Sequence, residues 1–140
     1  MSADRFIDTN VFVYHLDSSD KRKQRIAEGI VRAAVASRNA CISFQVVQEW
    51  LNTALRKAAL PLSAEQARDY LDVVLLPLMQ VSASGALYHR ALDVQQRLRF
   101  GFYDSLIVAA ALAAGCTRLL TEDLQHGQQI ETLRVHNPFA

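Results

Sequence analysis

Two hydrophobic periods alternate along this chain, and the alternation leaves few folds open. Short apolar runs of strand character occur at Arg5-Phe6-Ile7, Ala40-Cys41-Ile42, Met79-Gln80-Val81, Arg118-Leu119-Leu120 and Leu133-Arg134-Val135. Between them lie stretches whose apolar residues recur every three or four positions, the spacing of a helix face. Ile26, Ile30 and Ala33 stripe a first helix, with Asp20 as its cap. Val47, Trp50, Leu51, Ala54 and Ala58 stripe a second. Ser63-Ala64-Glu65-Gln66 is a capping box for a third, which turns Ala67, Leu71, Val74 and Leu75 inward. Leu87, Ala91, Val94 and Leu98 stripe a fourth behind Ser84, and Asp104 to Ala114 forms a fifth that is apolar almost all round. Strands separated by helices imply an α/β protein, a three-layer α/β/α sandwich with a mainly parallel five-stranded sheet. No repeat, linker or low-complexity tract interrupts the pattern. With 140 residues, 51% of them hydrophobic, the expectation is one domain over 1–140.

Fifteen basic residues oppose fourteen acidic ones, so no global positive field announces a nucleic-acid partner. A local patch or a bound cation would be needed in its place. Cys41 and Cys116 both lie in apolar settings and read as buried free thiols of a reducing compartment. The longest apolar run, Leu106 to Cys116, is too short to cross a bilayer, and the N-terminal residues lack the apolar region of a signal peptide. The expectation is a soluble, cytoplasmic protein without membrane contact.

The stretch Phe6 to Tyr14 has a strand's composition yet carries Asp8, Thr9 and Asn10 in its middle. A carboxylate among buried strand residues costs several kcal/mol unless compensated, so the insertion is the end of the strand, a site, or both. In a parallel sheet, sites form beyond the carboxyl ends of the strands. Asp8 directly ends the first strand. Glu49 lies within about 8 Å, along the second helix, of the end of the second strand, at 1.5 Å per residue. Asp104 opens a helix that feeds the fourth strand from the opposite edge, and Asp123 follows that strand in Leu120-Thr121-Glu122-Asp123. Four acids spread from position 8 to position 123 thus converge on one rim. Taken singly, Asp8 suits a turn, Glu49 a solvated face shared with Gln45, Asn52 and Arg56, Asp104 a helix start, and Asp123 a cap. None of these roles accounts for the convergence.

Clustered carboxylates must stay partly protonated or meet a cation. The lysines are Lys21, Lys23 and Lys57, none of them near the acids in sequence. An all-oxygen set selects a hard cation, Mg²⁺ or Mn²⁺, over Zn²⁺. His15, His89, His126 and His136 have no ligand spacing, and His126 reads as a surface histidine. No Ser-His-Asp or Cys-His arrangement and no glycine-rich phosphate loop is present.

Taken together, Phe6-Ile7-Asp8-Thr9-Asn10-Val11, Gln48-Glu49, Tyr103-Asp104-Ser105-Leu106-Ile107 with its alanine-rich continuation, and Leu120-Thr121-Glu122-Asp123 resemble the motifs of PIN-domain ribonucleases. More narrowly, they resemble the toxin component of VapBC-type toxin-antitoxin pairs, over nearly the whole chain. The resemblance implies that Asp8, Glu49, Asp104 and Asp123 are the catalytic and metal-binding residues, supported by Thr9, Asn10 and Thr121. Either Glu122 or Asp123 is the fourth acid, with the offset from Thr121 favouring Asp123. The implied activity is Mg²⁺- or Mn²⁺-dependent endoribonuclease cleavage without a protein nucleophile. The implied partners are an RNA substrate, an antitoxin and a second copy of the chain.

Arg97 and Arg99 are candidate RNA contacts. The run Lys21-Arg22-Lys23-Arg25 is either a solvated helix start or a phosphate track. Leu75, Leu76, Leu78 and Tyr88 read as core, with an interface as the alternative. Competing functions are an RNA-processing PIN nuclease without an antitoxin, a phosphatase or receiver-like phosphoacceptor, and a non-catalytic metal- or peptide-binding α/β module. The absence of any lysine after Lys57 argues against the phosphoacceptor.

Overall fold

The computed structural model describes residues 3–56, 60 and 62–140. A short strand β1 (Arg5–Ile7) leads through Asp8 into α1 (Thr9–Leu16) and α2 (Lys21–Ser37). Then follow β2 (Ala40–Ser43), α3 (Phe44–Ala54), α4 (Ala64–Tyr70), a π-helical turn (Leu71–Leu75), α5 (Leu76–Leu78) and β3 (Met79–Val81). The remainder begins with α6 (Gly85–Leu98) and α7 (Phe102–Ala113), and ends in β4 (Arg118–Leu120), β5 (Gln129–Ile130) and β6 (Leu133–His136). The sheet order is β3-β2-β1-β4-β6-β5, parallel except for the β5/β6 pair.

The five expected strands are all present, each to within a residue. A sixth, β5, was not expected. Its two residues are too few to display a period, and it pairs with β6 through Gln129↔Arg134 and Ile130↔Leu133. The stretch Phe6–Tyr14 divides at Asp8, and Val11-Phe12-Val13 belongs to a helix rather than a strand. Asp8 is the reason: its extended backbone and its Oδ1, accepting from the Thr9 N–H at 2.7 Å, make it the N-cap of α1.

The caps read from sequence are in place. Asp20 accepts from the Lys23 N–H, Ser84 from the Leu87 N–H, and Ser63 with Gln66 completes a capping box. The buried face of α2 is rotated by one residue from the expected stripe, to Ala27, Val31 and Ala34. Small side chains there let α2 lie close to its neighbours, and the larger Ile26 and Ile30 pack at the margin of the core. Ala67, Val74 and Leu75 are buried as expected, though the helix widens into a π turn ahead of Pro77, which has no N–H to continue an α ladder. Ala58 lies outside the described residues. Leu75 and Leu78 are core, whereas Leu76 and Tyr88 are exposed, as are Val73 and Leu92.

The core centres on Phe6, Ile7, Ile42, Val46, Trp50 and Leu119, all essentially inaccessible. Each such side chain contributes about 1.5–3 kcal/mol of transfer free energy. Trp50 also stacks on Tyr70 with centroids 4.6 Å apart. In α7 every residue from Ser105 to Leu112 is buried, as its apolar circumference requires. Cys41 and Cys116 are buried free thiols, with Sγ atoms 3.5 Å apart. No helix among the described residues is long and apolar enough to cross a membrane.

Candidate active site

The strand order reverses between β1 and β4. From β1 the chain builds outward on one side through β2 and β3, then returns to place β4 on the other. The carboxyl end of such a switch point is an open crevice, because the connections leave it in opposite directions. A cleft of about 450 Å³ occupies it, lined by Asp8, Glu49, Asp104 and Asp123 together with Thr9, Asn10 and Gln45. All four acids named from the sequence border one cavity. Glu122, the alternative fourth acid, is not among the residues lining the cleft, whereas Asp123 is; Glu122 accepts from Tyr14 Oη–H and pairs with Lys23 Nζ at 2.9 Å. Lys23 thus reaches Glu122, and no lysine among the described residues lines the cleft with the four acids. The pairing pushes the Lys23 ammonium up to about 12, through Glu122 first and then Tyr14.

Asp8 is held from two sides. Its Oδ1 caps α1, and its Oδ2 accepts from Thr121 Oγ1–H at 2.8 Å across the β1/β4 junction. Thr121 in turn accepts from the Asp123 N–H at 3.0 Å, and Asn10 Nδ2 donates to Asp123 Oδ2 at 3.2 Å. Thr9 Oγ1 donates to Glu49 Oε1 at 2.7 Å, joining α1 to α3. Thr9, Asn10 and Thr121 therefore stand where support for the acids would be.

Burial, aided by the charges of Asp123 and Glu49, raises the Asp8 carboxyl to about 7, against the lowering effect of its Thr121 and Thr9 hydrogen bonds. Asp104, in the first turn of α7, is also raised, by burial and then by Asp123 and Glu49. The acids thus feel one another across the cleft.

Gln45 was assigned from sequence to a solvated face but is buried, with Nε2 donating to the Tyr103 carbonyl at 3.1 Å. The signal was its spacing: Gln45 lies four residues before Glu49, so a face that turns Glu49 to the cleft turns Gln45 there too. Val13, Tyr14 and Asp17 also line the cleft, and were missed because no helix was expected over Thr9–Leu16. Arg97 and Arg99 do not line it. Arg97 Nη2 binds Glu131 at 2.7 Å, and Arg99 ends α6 in a left-handed conformation. In the basic run, Lys23 is tied to Glu122 and Arg22 donates to the Phe139 carbonyl, so these two are structural.

A family model described as PIN domain matches residues 5–128. The chain belongs to the PIN-domain family. No curated protein matches it. Among solved structures, this PIN domain is similar to a toxin-antitoxin complex from Klebsiella pneumoniae, at TM-score 0.70 and 19% identity over 96% of this chain and 97% of the other. It is also similar to VapBC2 from Rickettsia felis bound to a promoter DNA fragment, at TM-score 0.63 and 20% identity, covering 95% and 97%. A third is the sarcin-ricin loop cleaving toxin VapC20 of Mycobacterium tuberculosis, at TM-score 0.62 and 17% identity, covering 85% and 89%.

The cleft's donor set fits a hard divalent cation. Besides the carboxylates, Asn10 Oδ1 and Gln45 Oε1 are buried oxygens without a hydrogen-bond partner, both from cleft-lining residues. Among the described residues no group of three or more acidic, imidazole or thiol side chains stands close enough together to hold a metal ion by itself. An open rim of this kind suits Mg²⁺ or Mn²⁺, which keeps several waters and binds through one or two carboxylates.

Proposed function

We propose that this PIN domain is a divalent-metal-dependent endoribonuclease acting as the toxin of a toxin-antitoxin pair. The observation that carries the reading is the convergence of Asp8, Glu49, Asp104 and Asp123 on one cleft at the sheet's switch point, with the Asp8 carboxyl raised to about 7. Carboxylates so placed stay partly protonated or meet a cation, and a cation is what an anionic phosphodiester needs to approach them. A bound Mg²⁺ or Mn²⁺ would supply a water of lowered pKa and neutralise charge at the scissile phosphate.

The protein's part is positioning. Asp8 is fixed by Thr121 and Thr9, Glu49 by the Thr9 hydroxyl, and Asp123 by Asn10, so the carboxylates that would hold a cation are oriented before substrate arrives. Asp104 enters on the first turn of α7, opposite Glu49, whose helix is tied to α7 through Gln45 and the Tyr103 carbonyl. No histidine or cysteine lines the cleft among the described residues, which agrees with attack by water rather than by a side chain.

The antitoxin and a homodimeric state belong to the same reading. Support for the first is that similar folds were solved as toxin-antitoxin complexes. Support for the second is apolar surface left at Val73, Leu76, Tyr88 and Leu92. Action on RNA would place the protein in the cytoplasm.

The test is incubation of total RNA with the protein, mapping of cleaved ends, and repetition with chelator and with Asp8→Asn. Cleavage that depends on added Mg²⁺ or Mn²⁺ and disappears in the variant is the expected result. Metal-independent cleavage, or full activity in the variant, would refute the assignment. Tight Mn²⁺ binding with no cleavage of any RNA would leave a non-catalytic module as the answer.

A further inference from the structure

A second concentration of charge, opposite in sign to the cleft, lies on the sheet. Arg5, Arg118 and Arg134 are direct partners across β1, β4 and β6, so parallel register sets all three side chains on one face of adjacent strands. His136 follows Arg134 by two residues and shares that face, and its ring lies 5.2 Å from that of His126. Arg118, His126, Arg134 and His136 line a cavity of about 330 Å³ with no carboxylate in its walls.

None of the ion pairs among the described residues involves Arg118 or Arg134. Arg5 Nε is buried without a hydrogen-bond partner, and its nearest carboxylate, on Asp4, is 4.0 Å away. His126 Nδ1 accepts from the Asn137 N–H at 2.9 Å, which puts the neutral ring's proton on Nε2 as a donor. The imidazole of His136 is held below its ordinary value by burial and then by electrostatic repulsion from His126, Arg118 and Arg5. Arg118 and Arg134, adjacent in register and outside every ion pair among the described residues, form an anion site beside Arg5, and guanidinium groups match phosphate oxygens in pairs.

We propose that this arginine ladder binds the phosphodiester backbone of the RNA strand that enters the acidic cleft. The inference rests on the ribonuclease reading above. Reach favours that occupant: Arg5 and Arg118 open β1 and β4 three residues before Asp8 and Thr121, so an extended strand leaving the cleft has about 10 Å to cross to the ladder. Its three rungs, about 4.8 Å apart, suit a polyanion better than a single small ion. The ladder also supplies attraction that a chain of net charge +1 with an acidic cleft otherwise lacks.

The test compares Arg118→Gln/Arg134→Gln with Arg32→Gln/Arg68→Gln, a pair of exposed positions on α2 and α4 that removes the same charge. Binding of a short fluorescein-labelled RNA strand is followed by anisotropy in chelator over a series of salt concentrations. Losing two phosphate contacts should flatten the slope of log Kobs against log salt by about 1.4, and weaken binding about ten-fold near 0.15 M salt. The control pair should change affinity less than two-fold. Equal weakening in both variants, or an unchanged slope in the ladder variant, overturns the proposal while leaving the nuclease reading standing. Stronger competition by polyglutamate than by polyuridine overturns it in favour of an acidic protein partner. Failure of the wild type to bind or cut RNA removes ladder and nuclease together.

Discussion

Replacing Asp8 by asparagine should abolish cleavage and, at alkaline pH in chelator, stabilise the fold. The buried carboxyl titrates at about 7 in the folded chain against an ordinary value of 3.8. Between these values the folded state holds a proton that the unfolded state has released, so stability falls as pH rises through this window. The gap corresponds to about 4 kcal/mol, absent below pH 4 and fully present above about pH 8. Asparagine removes this cost but conflicts with Thr121. That hydroxyl donates to Asp8 while already accepting from Asp123 and Asn10, and a misfit there costs about 1 kcal/mol. The net gain at pH 8.5 is therefore about 3 kcal/mol, shrinking to zero or slightly below near pH 4.5.

Urea unfolding of wild type and Asp8→Asn, run in chelator across that range, reads the difference directly. Adding Mn²⁺ should then raise the wild type and narrow the gap, since a ligand bound only by the folded state stabilises it by mass action. A stability difference that does not vary with pH would refute the claim that Asp8 carries an uncompensated buried charge. Equal Mn²⁺ stabilisation of both proteins would refute its role in holding the ion.

Asp104→Asn and Glu49→Gln should each slow RNA cleavage by at least about 100-fold with the far-ultraviolet circular dichroism spectrum unchanged, a loss typical of removing a positioned charge. Thr121→Val removes a hydrogen bond that lowers the Asp8 carboxyl, so the pH profile of cleavage should move to higher pH, and Thr121→Ser should restore it. An unshifted profile in the valine variant would break the link between Thr121 and Asp8. Trp50→Ala, at a fully buried side chain stacked on Tyr70, should cost about 3–5 kcal/mol in urea unfolding, and a loss below about 1 kcal/mol would mean the core repacks around the gap.

The parts of the fold that were legible are those where one period persists. α6 with Leu87, Ala91 and Val94, and the capped start at Ser63, follow from residues a turn apart. Val11-Phe12-Val13 was misread because β-branched and aromatic residues favour strands, while one cap interaction at Asp8 and packing against α2 decide for helix. β5 has no period to read. The acids of the cleft could be brought together because chain direction fixes which end of each element meets the rim. Side-chain commitments could not be read this way. Whether Arg97 reaches the cleft or Glu131 depends on a rotamer and a distant turn, and whether Gln45 is solvated depends on what covers it.

The junction between β1 and β4 has one more consequence. Asp8 and Thr121 meet only when two strands far apart in sequence have docked side by side, and the intervening helices bring Glu49 and Asp104. A chain emerging from the ribosome cannot assemble this cleft until β4 is made. Under the proposed reading, a growing toxin would be harmless to the machine translating it, and any mutation that loosens the central strand pair would silence the enzyme well before it melts the core.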